Sequence, residues 1–172
     1  MGQHTALKEL AKFPFHKARH VAILLQLTRK KGLQIFDAQK MLDGHPEYVV
    51  FNGKIKALSG NMKANVGETV RIYVGNGGVN LISSFHVIGE IFDSVYPEAS
   101  IGGALFKNVQ TTLVPAGGAT IVDFKLEVPG KYILVDHALS RLERGAWGVL
   151  EVAGHENKEV LDGTLDNVTS GH

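Results

Sequence analysis

The sequence predicts an all-β protein: an antiparallel Greek-key β-sandwich preceded by a short helical or disordered N-terminal segment. Three observations predict it. Short β-branched and aromatic runs recur from residue 47 to residue 152. They are bounded by Gly, Pro and Asn turn signals. No long stretch in that region has a helical period.

From Met1 to about Lys31 the pattern is weakly helical: Leu7, Leu10 and Ala11 have helical spacing and Pro14 interrupts it. Phe36–Asp43 reads as a short helix stopped by Gly44. Tyr48–Phe51 is a β run ending in the turn signal Asn52-Gly53, and Thr69–Val74 is closed by Gly75-Asn76-Gly77-Gly78. Val79–Ile88, Ile91–Val95 and Thr111–Val114 continue the series, the last running into Pro115-Ala116-Gly117-Gly118. Ala119–Val128 alternates, Pro129-Gly130 turns, and Tyr132–Asp136 and Ala146–Val152 complete the strands. Residues 156–172 are acidic, lack apolar periodicity, and read as a tail or linker.

The 172 residues suit one domain with tails, and 44% hydrophobic with 20% charged residues is ordinary for a globular chain. Charge is uneven. Residues 1–35 carry seven Lys/Arg against Glu9 alone, about +6, which leaves about −5 for the other 137. With no cysteine, disulfides, zinc-thiolate sites, thiol nucleophiles and a blue, thiolate-bound copper are excluded. No apolar run is long enough for a membrane span, and Val21–Leu27 makes a poor export signal. No basic, aromatic-interleaved stripe indicates nucleic-acid binding.

Among eight histidines, His86 and His137 stand apart because each sits at the end of an apolar strand. Imidazole ligates copper or zinc and moves protons near neutral pH. These two are 51 residues apart, so spacing alone leaves open whether they are hydrogen-bonded structural histidines or chemical ones. Other schemes fare worse. No Gly-x-Ser-x-Gly elbow is present, Glu90 and Asp93 fall on opposite faces of a strand, and Gly75–Gly78 joins strands rather than opening a helix.

Longer motifs carry more. Pro46–Gly53, Val66–Gly78, Ser83-Ser84-Phe85-His86-Val87-Ile88-Gly89-Glu90-Ile91-Phe92-Asp93, Asn108–Gly118, Pro129–Tyr132 and Leu134-Val135-Asp136-His137-Ala138-Leu139 follow in one order. Together they resemble the second, cupredoxin-type domain of copper-containing nitrite reductases, over about residues 32–155. The resemblance implies the following roles. His86 is the proton-donating histidine beside the catalytic type 2 copper, Ile88 shapes the substrate pocket, Thr112 supports the catalytic histidine, and His137 is one of three copper-ligating imidazoles. It also implies reduction of nitrite to nitric oxide in a homotrimer whose type 2 sites lie between subunits. Small copper or haem proteins would be electron donors, and the location would be periplasmic or outer-membrane-associated.

The sequence departs from that family in having no blue-copper ligand set, no recognisable export signal, and a basic stretch, residues 1–31, that matches nothing in it. The expectation is therefore a domain-2 portion that supplies one copper ligand and the proton donor, with little turnover by itself. The alternative is a non-catalytic cupredoxin-like assembly or binding module. A multicopper oxidase fragment is disfavoured, because the His-Cys-His cluster of those enzymes is missing.

Overall fold

The computed structural model describes residues 18–21, 24–25, 27–30 and 33–160. Two sheets form the sandwich. One has the order β1 (Ala18–Val21), β7 (Thr69–Gly75), β11 (Ala119–Lys125), β9 (Ser94–Tyr96). The other runs β10 (Thr111–Val114), β8 (Ser83–Ile88), β12 (Gly130–Asp136), β13 (Trp147–Ala153), β6 (Met62–Asn65). From β6 to β12 the chain changes sheet at every strand, which is how the inward faces of both come to share one core. Two small ribbons pair β2 (Leu24–Leu25) with β5 (Tyr48–Val49) and β3 (Leu27–Lys30) with β4 (Leu33–Phe36).

Strand alternation produces that core. In β8, Phe85 and Val87 point inward and are fully buried, while Ser84, His86 and Ile88 face out. Val122 and Phe124 of β11 meet them from the opposite sheet. Phe85 and Phe92 stack at 6.0 Å, and Phe92 lies 6.0 Å from Phe124. Each such ring contributes roughly 1.5–3 kcal/mol by burial and aromatic pairs a further ~0.5–1.5 kcal/mol. On the outer face of the other sheet, Arg71 grips Asp123, its register partner, through two hydrogen bonds of 2.6 Å. That pairing raises the Arg71 pKa and locks β7 to β11.

Three expectations need correction. The helix-like reading of residues 1–31 fails where the segment is described: residues 18–21, 24–25 and 27–30 are strands. β1 adds to β7, whose unpaired edge groups reward an extended partner more than a weak local helical pattern rewards a helix. The expected helix pattern at Leu7–Ala11 lies outside the described residues. The sandwich is also not wholly antiparallel, because β1–β7 and β13–β6 pair in parallel. β6 itself was not expected, although Met62 and Ala64 are buried and Lys63 and Asn65 exposed, as alternation requires. The expected helix over Phe36–Asp43 is present as α1 (Ala38–Leu42), capped by the Asp37 side chain on the Lys40 N–H at 3.0 Å. Among the described residues no helix is long and apolar enough to cross a membrane.

Candidate functional site

His86 lies on the outer face of the five-stranded sheet because its neighbours Phe85 and Val87 are committed to the core. Across the ladder it stands between Thr111 of β10 and Val135 of β12. Its Nδ1 is 2.6 Å from the Gln110 carbonyl oxygen. A carbonyl only accepts, so Nδ1 carries hydrogen and the neutral ring keeps its lone pair on Nε2.

His137 follows the last residue of β12, and its backbone N–H donates to the Ser84 carbonyl at 2.8 Å. Asp136 shapes this corner. Its side chain is 2% exposed, and its carboxylate accepts from four donors: Ser83 Oγ at 3.1 Å, the Ser84 N–H at 3.3 Å, the Ala138 N–H at 3.1 Å and Arg141 Nη1 at 2.5 Å. Arg141 also donates to the Ile82 carbonyl at 2.8 Å. The chain is thus clamped immediately before and after His137, and the ring itself is left exposed. It approaches His86 with a centroid distance of 5.4 Å and an interplanar angle of 53°.

Ile88 is two residues along β8 from His86, on the side away from Ser84, and is paired with Ile133. Ile88, Ile133 and Leu113 are 42%, 37% and 67% exposed, so the two imidazoles sit within an uncovered apolar sheet face. Thr112 does not join them. It is the register partner of Phe85 and is buried on the core side. The residue opposite His86 is Thr111, and a shift of one position reverses the face. Gln110 and Thr111 were the residues that sequence reasoning missed. The available signal was the alternation in Thr111–Val114, where buried Val114 puts Thr112 inward and Thr111 and Leu113 outward.

Glu90 borders the same region. Residues 90–93 lie between β8 and β9 rather than in the expected strand, so Glu90 and Asp93 line one cavity instead of opposite faces. Burial, then the nearby carboxylates Asp93 and Glu127, push its pKa up to about 7.

Imidazole is a suitable nitrogen donor for copper, and here the His137 ring is exposed beside a half-buried His86. Among the described residues no group of three His, Cys, Asp or Glu side chains could hold a metal ion. Among the described residues, these two imidazoles therefore do not make a self-contained metal site.

No protein-family profile matches the chain. It is 56% identical over 141 residues to a copper-containing nitrite reductase of Neisseria meningitidis serogroup A, covering 80% of this chain and 36% of that protein. It thus spans about a third of the length of the curated relatives it matches. Among solved structures it superposes on a copper-containing nitrite reductase of Thermus scotoductus with a TM-score of 0.67 and 27% identity, over 85% of this chain and 32% of that one. A multicopper oxidase matches with a TM-score of 0.62 and 21% identity, over 82% and 45%, a likeness of fold alone: the cupredoxin-like sandwich.

Proposed function

The chain belongs to the copper-containing nitrite reductase family, spanning about a third of its members' length, and from that premise we propose that it acts as their second-domain portion. Residues 32–155 form the functional unit, and the reaction is reduction of nitrite to nitric oxide. The observation that carries this reading is the pair of imidazoles, half-buried His86 and exposed His137, with ring centroids 5.4 Å apart. His137 holds copper at a seam with a neighbouring chain of a homotrimer, which supplies the remaining ligands. The apolar surface of Ile88, Ile133 and Leu113 is what such a neighbour covers.

Bound copper supplies a Lewis acid and a one-electron redox centre for nitrite. The chain's own residues do the rest. The Gln110 carbonyl keeps hydrogen on His86 Nδ1, so the exchangeable proton sits on Nε2 and is given up there. The Asp136–Arg141 clamp holds His137 in place without occupying its ring nitrogens. Ile88 restricts how a small anion lies beside His86 and limits water. Thr112, buried across the ladder from Phe85, acts only through the core. By the same family reading, the protein is proposed to act in the periplasm or at the outer membrane, with small copper or haem proteins as electron donors.

The test supplies the remainder of the Neisseria relative in trans, loads copper, and measures bound metal and nitric oxide from nitrite. His137→Ala is expected to lose the copper. His86→Ala is expected to keep it and lose about 10²–10⁴-fold in turnover. Equal copper loading and turnover in His137→Ala and the wild type would sink the assignment.

A further inference from the structure

Beside His86 opens a cavity of about 660 Å³, lined by Glu90, Asp93, Gln110, Lys125 and Glu127 as well as the imidazole itself. Glu90 reaches it because the chain reverses at the end of β8. Gly89 has φ +103°, and a Cβ there would lie 2.9 Å from the Tyr132 ring, so only glycine fits. The Glu90 N–H then donates to the Val87 carbonyl at 3.0 Å, folding Glu90 back toward the strand that carries His86. The cavity joins a carboxyl group, an imidazole and solvent-accessible space.

We propose that Glu90 passes protons between solvent in this cavity and the His86 imidazole. The proposal deepens the reading of His86 as proton donor and rests on it. In the step, the O–H bond of the Glu90 carboxyl breaks and a proton moves through cavity water. An N–H bond forms at His86 Nε2, the nitrogen left with a lone pair, and the carboxylate left behind takes a replacement proton from solvent. Every charged or titratable group that faces Glu90 bears on this. Asp93 precedes β9 and binds the Lys125 N–H through its carboxylate at 2.8 Å. Lys125 and Glu127 lie at the end of β11 and beyond it. Tyr132 of β12 donates its hydroxyl to the Val128 carbonyl at 2.6 Å, and burial, then Glu90, raises its pKa. With burial and the Asp93 and Glu127 carboxylates holding Glu90 near half-protonation at about pH 7, the group both gives and takes protons under neutral conditions. Glu90 acts through His86 and is a relay and positioning residue rather than one that touches substrate.

The first experiment needs neither copper nor nitrite. Carbon-13 and nitrogen-15 NMR of the full chain should show the Glu90 carboxyl titrating with a midpoint near 7, and the His86 ring signals should carry the same inflection. Glu90→Gln should erase that inflection. Glu127→Gln should move it down by about 0.3 pH unit, the size Coulomb's law gives for one charge at ~10 Å in water. Should Glu90→Gln not fold, the shift in Glu127→Gln still decides. Ring signals of His86 indifferent to Glu90→Gln, or a Glu90 midpoint unmoved by Glu127→Gln, would overturn the relay. The second experiment uses the reconstituted, copper-loaded protein. Glu90→Gln should cut turnover about tenfold and alter its pH profile, with Glu90→Asp restoring most of it. An unchanged profile refutes the relay, whereas failure of His137 to bind copper refutes only the reading beneath it.

Discussion

Replacing Asp136 by Asn probes how the corner that carries His137 is held. The substitution keeps the shape and removes the charge, so a cavity cannot explain its effect. One carboxylate oxygen serves the Ser84 and Ala138 N–H groups, and the other serves Ser83 Oγ and Arg141. An amide satisfies the backbone pair only by turning its NH₂ toward the Arg141 guanidinium, donor against donor. The bond lost there is charge-assisted and buried, worth about 1.5–3 kcal/mol. The remaining bonds fall to neutral strength, costing about another 0.5–1 kcal/mol. The expected destabilisation is therefore about 2–4 kcal/mol, a large share of the ~5–15 kcal/mol typical of a domain. Urea unfolding followed by the fluorescence of Trp147, the chain's single tryptophan, reads it directly. The midpoint should fall by about 1–2 M. Arg141→Gln in a double-mutant cycle with Asp136→Asn should show coupling of about 1–3 kcal/mol. A single-mutant change within about 0.5 kcal/mol, or strict additivity in the cycle, refutes the clamp.

Two further outcomes follow from the same structure. Glu90 has a folded pKa raised from its ordinary 4.5 to about 7, so the folded state binds its proton more tightly than the unfolded one. Its contribution is present below about pH 4.5 and is lost as pH climbs through about 7; the wild type should therefore lose stability across that window relative to Glu90→Gln, and a pH-independent difference between the two would contradict this. Phe85→Ala removes a fully buried ring stacked on Phe92 and should cost about 3–5 kcal/mol by urea unfolding, while a cost under ~2 kcal/mol would mean that Phe85 does not anchor β8.

Much of the sandwich was legible because alternation is local. Phe85-His86-Val87 states which side chains go inward, and the turn residues after Val74 and before Tyr132 state where the chain reverses. β6 escaped because four residues with a central lysine give too short an alternation to stand out, and its partner β13 lies some 90 positions away in the chain. β1 escaped because its extended form is rewarded by the edge of β7 rather than by its own residues. The site was legible only as far as the family resemblance reached. It singled out His86, His137 and Thr112, and the structure buries Thr112 on the core side opposite Phe85, while Thr111 is the register partner of His86.

By itself the sequence determined an all-β chain, the positions of most strands and turns, the exclusion of thiolate chemistry, and which histidines end apolar strands. Tertiary structure alone decided that those histidines, 51 residues apart, have rings 5.4 Å from each other, that Gln110 orients one of them, and that a buried Asp136 secures the other. The division has a physical cause. Periodicity and turn chemistry act between neighbours along the chain, whereas strand pairing sets which distant residues share a face, and the hydrogen bonds and raised pKa of the site arise only from that juxtaposition.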